Sequence, residues 1–339
     1  MVIRARRSRA FWPKSGDGMR QGPSVERLSG HRVHLQHGPI DLVLRAWGEA
    51  DAVDAAYRAA IQRFETILGE LVSELPILRC PMADQLSVTG AVAVRMVSAC
   101  RPYDIFVTPM AAVAGAVADE VLAAMLAVAP LDKAFVNDGG DIAVHLIQGQ
   151  SLEIGVAGAF GRSPVRAFNG QISIKAEHGI GGIATSGAPG RSFSLGIADS
   201  VTVLAQSAAA ADVAATLIAN AVDLPGHPAV HRSPAITLDP DSDLGERLVT
   251  VNVDRLTANE ILSALDSGLA MARHYQRAGL IQDAALMLRG HSVTLGSHLF
   301  GLPTSSPSTA SNASLASRID SRAKANNPLK KSPSFCGAP

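Results

Sequence analysis

The chain has 339 residues, 47% hydrophobic and 18% charged, which is enough apolar material for one large domain or two ordinary ones. Lysine plus arginine and aspartate plus glutamate both number 30, and a formal charge of zero argues against a nucleic-acid binder that relies on phosphate contacts. Aromatic residues make up only 4%, so the core is built from small, closely approaching elements, and Cys80, Cys100 and Cys336 have neither metal-site nor disulfide spacing, which fits a reducing cytoplasm.

Residues 1–28 carry arginine, glycine and proline without periodicity and read as a disordered extension, and Met19 is a second candidate for the natural start. The basic opening MVIRARRSRAFW is followed by no apolar run, so it is not a secretory signal. Order is expected from Ser29. Residues 31–36 alternate polar and apolar, His37-Gly38-Pro39 marks a turn, and residues 40–46 continue as a second strand. His31, His34 and His37 are spaced by three, which on a strand points them to alternating faces and suits no shared metal.

Residues 49–75 have helical spacing through Val53, Ala56, Ala60, Phe64, Ile67, Leu71 and Leu75, and Pro76 is expected to end that helix. A shorter helix is expected over 88–100 and a long alanine-rich one over 110–128. The latter is apolar on nearly every side and is expected to be buried between layers. It does not read as a membrane span, because Asp119-Glu120 at its centre costs about 2.5–3.5 kcal/mol each in hydrocarbon. Asp119 in such a helix needs a partner: either it makes a local cap or it faces a pocket.

Strands are expected at 133–136, 142–147, 151–157 and 170–175, with Asn137-Asp138-Gly139-Gly140-Asp141 as a tight turn that could also present backbone N–H groups to an anion. The stretch 179–216 opens with glycines and small hydroxyl residues. It continues as a buried strand over 201–205, an N-cap at Ser207 and a helix over 208–222. Asp212, Thr216 and Asn220 then lie on one helix face, while Val213, Leu217, Ile218 and Ala221 lie on the other. A glycine-rich turn, a strand and a helix with a polar stripe suit an oxyanion or a hydrated metal ion. They also suit a plain, well-packed βα unit, the reading that composition alone favours.

Residues 224–245 read as a Pro- and Asp-rich linker. Thr257-Ala-Asn-Glu260 is a capping box opening a helix to about Ala278, and strands are expected at 281–288 and 292–295 around Gly290. The Ser- and Pro-rich residues 297–339 read as a disordered tail. The expected architecture is a single α+β domain over 29–296, with a largely antiparallel sheet packed against long helices.

Several of these segments together resemble the ApbE-like superfamily, in its uncharacterised bacterial and archaeal branch related to FAD:protein FMN transferases. They are Pro109 through Asp119, Asn137-Asp-Gly-Gly-Asp-Ile142, Ala184-Thr-Ser-Gly187, Ala198-Asp-Ser-Val-Thr-Val203, and Ala211-Asp212 through Thr216. The resemblance implies a T-fold α+β architecture and a nucleotide, FAD in the transferases, held with magnesium. It places Asn137, Gly139, Gly140 and Asp141 near the nucleotide together with Thr185, Ser186 and Gly187, and it makes Asp212 and Thr216 the metal motif. Two hard oxygen groups one turn apart agree with magnesium, which keeps several waters. The transferases carry a His-Ile-x-Asp-Pro segment after Thr-Ser-Gly. Here residues 188–200 contain no histidine, and Arg191, Ser192 and Ser194 stand there instead. Arg191 stays protonated and suits phosphate. The expectation is therefore a protein that binds a small phosphate-bearing ligand with magnesium, with flavin transfer lost. The alternative is a non-catalytic ApbE-fold protein for small-molecule binding or assembly. The three motifs are expected to line one cleft.

Overall fold

The computed structural model describes residues 22–82, 86–157, 169–188, 190 and 192–297. In chain order the strands are β1 Ser24–Leu28, β2 Arg32–His37 and β3 Ile40–Trp47, followed by helices α1 Ala50–Leu78, α2 Ala91–Cys100 and α3 Val113–Val128, the last entered through a 3-10 turn at Pro109–Ala112. Then come β4 Lys133–Asp138, β5 Asp141–Leu146, β6 Ser151–Ala157, β7 Asn169–Lys175, β8 Gly182–Ser186 and β9 Ser200–Ala205. The chain continues with α4 Ala208–Ala221, β10 Val230–Pro234, the single turn α5 Ala235–Leu238, β11 Leu248–Val253, α6 Ala258–Arg277, β12 Asp283–Leu288 and β13 His291–Leu295.

Nine strands form one sheet in the order β1-β2-β3-β4-β5-β8-β9-β12-β13, and every pairing in it is antiparallel. The architecture is α+β, as the sequence pattern implies. Tight links set much of the register: Gly38-Pro39 joins β2 to β3, Gly139-Gly140 joins β4 to β5, and Arg289-Gly290, both at positive φ, joins β12 to β13.

Strand alternation sorts the side chains into two cores. On one face α1 lies over β2 and β3, α3 over β4 and β5, α4 over β8 and β9, and α6 over β12 and β13. Leu42, Leu44, Val136, Ala143, Ala184, Val201, Val203 and Leu286 face these helices. The other face carries Phe135, Ile142, Val144, Ile183 and Leu204, covered by Ile154, Ile172 and Ile174 of the separate β6–β7 hairpin.

The helical stretch Pro109–Val128, the 3-10 turn and α3 together, is long and apolar enough to cross a membrane by length and composition alone. In the fold it is a core helix: Ala116, Val117, Ala118, Val121, Leu122 and Met125 are buried, and its two acids are engaged. Glu120 pairs with Arg63 of α1 at 2.9 Å and Arg95 of α2 at 2.8 Å. Asp119 accepts from Ala208 N at 3.0 Å and Ala209 N at 2.9 Å, so of its two sequence-level roles the cap is the one realised, across to the start of α4.

Four expectations are corrected. Strand β1 occupies residues 24–28, inside the segment composition marks as disordered; pairing with β2 supplies the backbone partners that its exposed side chains give no hint of. Helix α1 runs through Pro76, because proline in the last turn costs one N–H and buried Leu78 still anchors the turn. The 224–245 stretch contains β10 and α5, and β10 pairs with β11 as a two-stranded arm. Finally, β8 is a central strand where the glycines suggest a turn. A Cβ at Gly182 would stand 2.0 Å from the Ser207 carbonyl carbon, and one at Gly181 2.2 Å from Gln206 O. These glycines let the start of α4 sit directly on the sheet.

Candidate functional site

The β4–β5 turn forms because Asn137 Oδ1 accepts from Gly140 N at 2.8 Å while Gly139 takes φ 63°, a backbone region that glycine enters without steric cost. Alternation then directs Asp138, in step with Val136, and Asp141, in step with Ala143, toward the helical face. Asn137, in step with Phe135, faces the β6–β7 side.

The turn is tied to β8 by Asp141 Oδ1, which accepts from Thr185 N at 3.2 Å. The Thr185 hydroxyl goes the other way and meets the Thr202 hydroxyl at 2.9 Å, on the face of Ile183 and Leu204. Ser186 shares the helical face with Ala184. Gly187 is buried, and its carbonyl accepts from Gly190 N at 2.9 Å.

Helix α4 brings Asp212 to the same end of the helical face. Its Oδ2 accepts from Gly115 N at 3.1 Å, and Ala114 N also donates to this carboxylate. These are amides of the first turn of α3, which has no side-chain cap of its own. The two helices therefore cap each other: Asp212 of α4 closes α3, and Asp119 of α3 closes α4, with Ser207 Oγ taking Ala210 N at 3.2 Å. Asn220, two turns beyond Asp212, accepts from Leu195 N at 2.9 Å and from Ser194 Oγ at 3.3 Å. Thr216 lies half-buried between them.

Electrostatics single out Asp212. The residue keeps some exposed surface, yet its carboxyl is packed closely enough that burial drives it well above the usual carboxylate range. The negative charge of Asp141 raises it further and that of Asp138 adds to this, against the lowering by the two α3 amides. Burial also raises Asp119, with the Ala209 and Ala208 amides opposing. Asp199, the one acid in the segment after Ser186-Gly187, is raised by burial and accepts from Arg289 N.

The expected single cleft is thus divided by the sheet. Asp141 and Asp212 come together, joined by Asp138 and, on the same face, Ser186. The side chains of Asn137 and Thr185 point away, and only the Thr185 backbone reaches the carboxylate side. Arg191 lies outside the described residues. Asp138 is missing from the motif-based set; counting alternation forward from Val136 is the signal that finds it. Among the described residues no three His, Cys, Asp or Glu side chains are grouped so as to hold a metal by themselves. The donor set does fit magnesium, which takes one or two carboxylates and retains water, because a divalent cation would relieve the crowding of negative charge at Asp212.

The sequence profile of the family described as AbpE bacteria matches residues 25–294. A UPF0280 protein of Methanopyrus kandleri is 33% identical over 218 residues, covering 63% of this chain and 84% of its own. Another, from Methanothrix thermoacetophila, is 41% identical over 125 residues, 36% of this chain and 50% of its own. The apo crystal structure of the Pseudomonas stutzeri flavinyl transferase ApbE aligns over 83% of this chain and 97% of that chain, with 14% identity and a TM-score of 0.36. The profile match and the Methanopyrus relative place the chain in the family described as AbpE bacteria, among the UPF0280 proteins.

Proposed function

We propose that this protein binds a small phosphate-bearing ligand, a flavin nucleotide being the first candidate, together with magnesium, at the end of the helical face formed by Asp138, Asp141, Ser186, Asp212 and Thr216. The observation that carries this reading is that Asp138 and Asp141 of the β4–β5 turn lie on the same face of the sheet as Asp212 of α4 and that their charge adds to burial in raising its carboxyl well above the usual range. Asp212 and Thr216 would hold the cation through oxygen and water, and the cation would supply the charge neutralisation a phosphate needs there. The Gly139 amide would face the ligand, since that of Gly140 is held by Asn137 Oδ1. Flavin transfer is not part of the proposal: residues 188–200 contain no histidine, and Asp199 is tied to the β12–β13 turn. The reading places the protein in the cytoplasm, away from membranes and nucleic acid.

A second reading, a non-catalytic protein of the same fold for small-molecule binding or assembly, is favoured by one observation: the Asp212 carboxylate already serves as the cap of α3. Thermal unfolding with FAD, in magnesium and in EDTA, separates the two, since a ligand that binds only the native state raises the midpoint. A midpoint rise with FAD that requires magnesium supports the proposal. Its absence with FAD and also with ADP favours the second reading.

A further inference from the structure

At the opposite end of the sheet lies a cleft of about 560 Å³ between the β1–β2 hairpin, the end of β3 and the start of α1. It continues into a groove of about 360 Å³ that shares Gly30, Arg32, Arg45 and Trp47. Both fall in the size range of small-ligand sites. Arg27 of β1, Arg32 of β2 and Arg45 of β3 line the cleft from three adjacent strands. Arg32 Nε donates to Ser29 O at 3.0 Å, and among the described residues none of the three arginines is in an ion pair. The carboxylates in the two linings are Asp54 and Glu153, so cations are in excess.

Arg45 is the most telling. Its guanidinium lies 4.2 Å from the centre of the Trp47 ring, and Lys133 Nζ is 4.7 Å from the same ring. Its Nε is sealed from solvent with no hydrogen-bond partner, a donor that native structures rarely leave unmet. The wall behind it is firm, since the Tyr57 hydroxyl donates to His31 O at 2.7 Å and accepts from Ala46 N at 3.1 Å.

We propose that this cleft is a second binding site, for a small phosphomonoester held by the forks of Arg32 and Arg45, which strand alternation sets side by side on the Trp47 face of the sheet. A phosphate dianion presents three acceptor oxygens to planar guanidinium donors, the geometry that such clusters recognise. The site is separate from the Asp212 end: Trp47 pairs with Lys133 at one end of β4 and Asp138 lies at the other, about 16 Å away along the strand. It needs no cation.

The test uses the full-length protein in EDTA at low ionic strength, with inorganic phosphate as the probe, followed by calorimetry or ³¹P line broadening. EDTA separates this site from the magnesium-dependent one. Saturable uptake is expected. Arg32→Gln and Arg45→Gln are each expected to weaken it about tenfold or more, the loss of a charge-assisted hydrogen bond. Arg101→Gln, an exposed arginine at the end of α2, is expected to change little. Ribose 5-phosphate is expected to displace the phosphate. No uptake by the wild type, equal weakening by Arg101→Gln, full retention in Arg32→Gln and Arg45→Gln, or no displacement by the sugar phosphate would each overturn the assignment.

Discussion

Replacing Asp119 by alanine tests whether helices α3 and α4 hold each other by reciprocal capping. The substitution removes both acceptors at the start of α4, leaving Ala208 N and Ala209 N without partners in residues that are 0% and 3% exposed. An unsatisfied buried amide costs about 1–3 kcal/mol. Ser207 still caps Ala210, and removing a carboxylate that burial disfavours returns part of the loss. The net expectation is a loss of about 2–4 kcal/mol, at least about 4 °C in midpoint at about 2 °C per kcal/mol. Asp119→Asn keeps one acceptor oxygen and is expected to lose about half as much. Urea denaturation monitored by circular dichroism reads both. An alanine variant within about 0.5 kcal/mol of wild type, or an asparagine variant worse than alanine, would refute the capping argument.

Gly182→Ala sets a methyl group 2.0 Å from Ser207 C and 2.1 Å from Ala208 N. It is expected to destabilise by about 3 kcal/mol or more, at the upper end of overpacking costs. Gly69→Ala in α1 meets nothing within 4 Å and is expected to stabilise by about 0.5–1 kcal/mol in the same denaturation assay. Asp212 predicts a pH dependence. Its folded-state titration lies above its unfolded value, so the folded protein holds the proton more tightly, and the associated stability is fully present below the unfolded value and lost as pH rises through the folded one. Asp212→Asn mimics the protonated form and is expected to flatten that decline; a wild-type stability that rises over this window, or an unchanged slope in the variant, would contradict the assignment.

Much of the fold was legible because its signals are local. The Gly38-Pro39, Gly139-Gly140 and Gly290 turns mark three hairpins, and Thr257 with Glu260 forms the capping box that opens α6. What stayed hidden depends on partners distant in sequence. Strand β8 has few strand formers, and its glycines make sense only once α4 is laid on it. Strands β1 and β10 gain their order from β2 and β11. In the site, Asp212 and Asp141 were readable as motif residues, whereas the role of Asp212 as the cap of α3 depends on Gly115, 97 positions away. The separation of Thr185 from Asp212 follows from alternation along a strand the sequence did not announce.

The most direct measurement is a calorimetric titration of the nucleotide-free protein with magnesium chloride above neutral pH, on wild type, Asp212→Asn and Thr216→Val. The account predicts saturable binding by wild type that strengthens as pH rises, because the cation competes with the Asp212 proton. It predicts a loss of about tenfold or more in Asp212→Asn, and a smaller loss in Thr216→Val. Absence of magnesium binding by a folded wild type, or the same affinity in Asp212→Asn, would contradict the central claim and leave Asp212 as a helix cap alone.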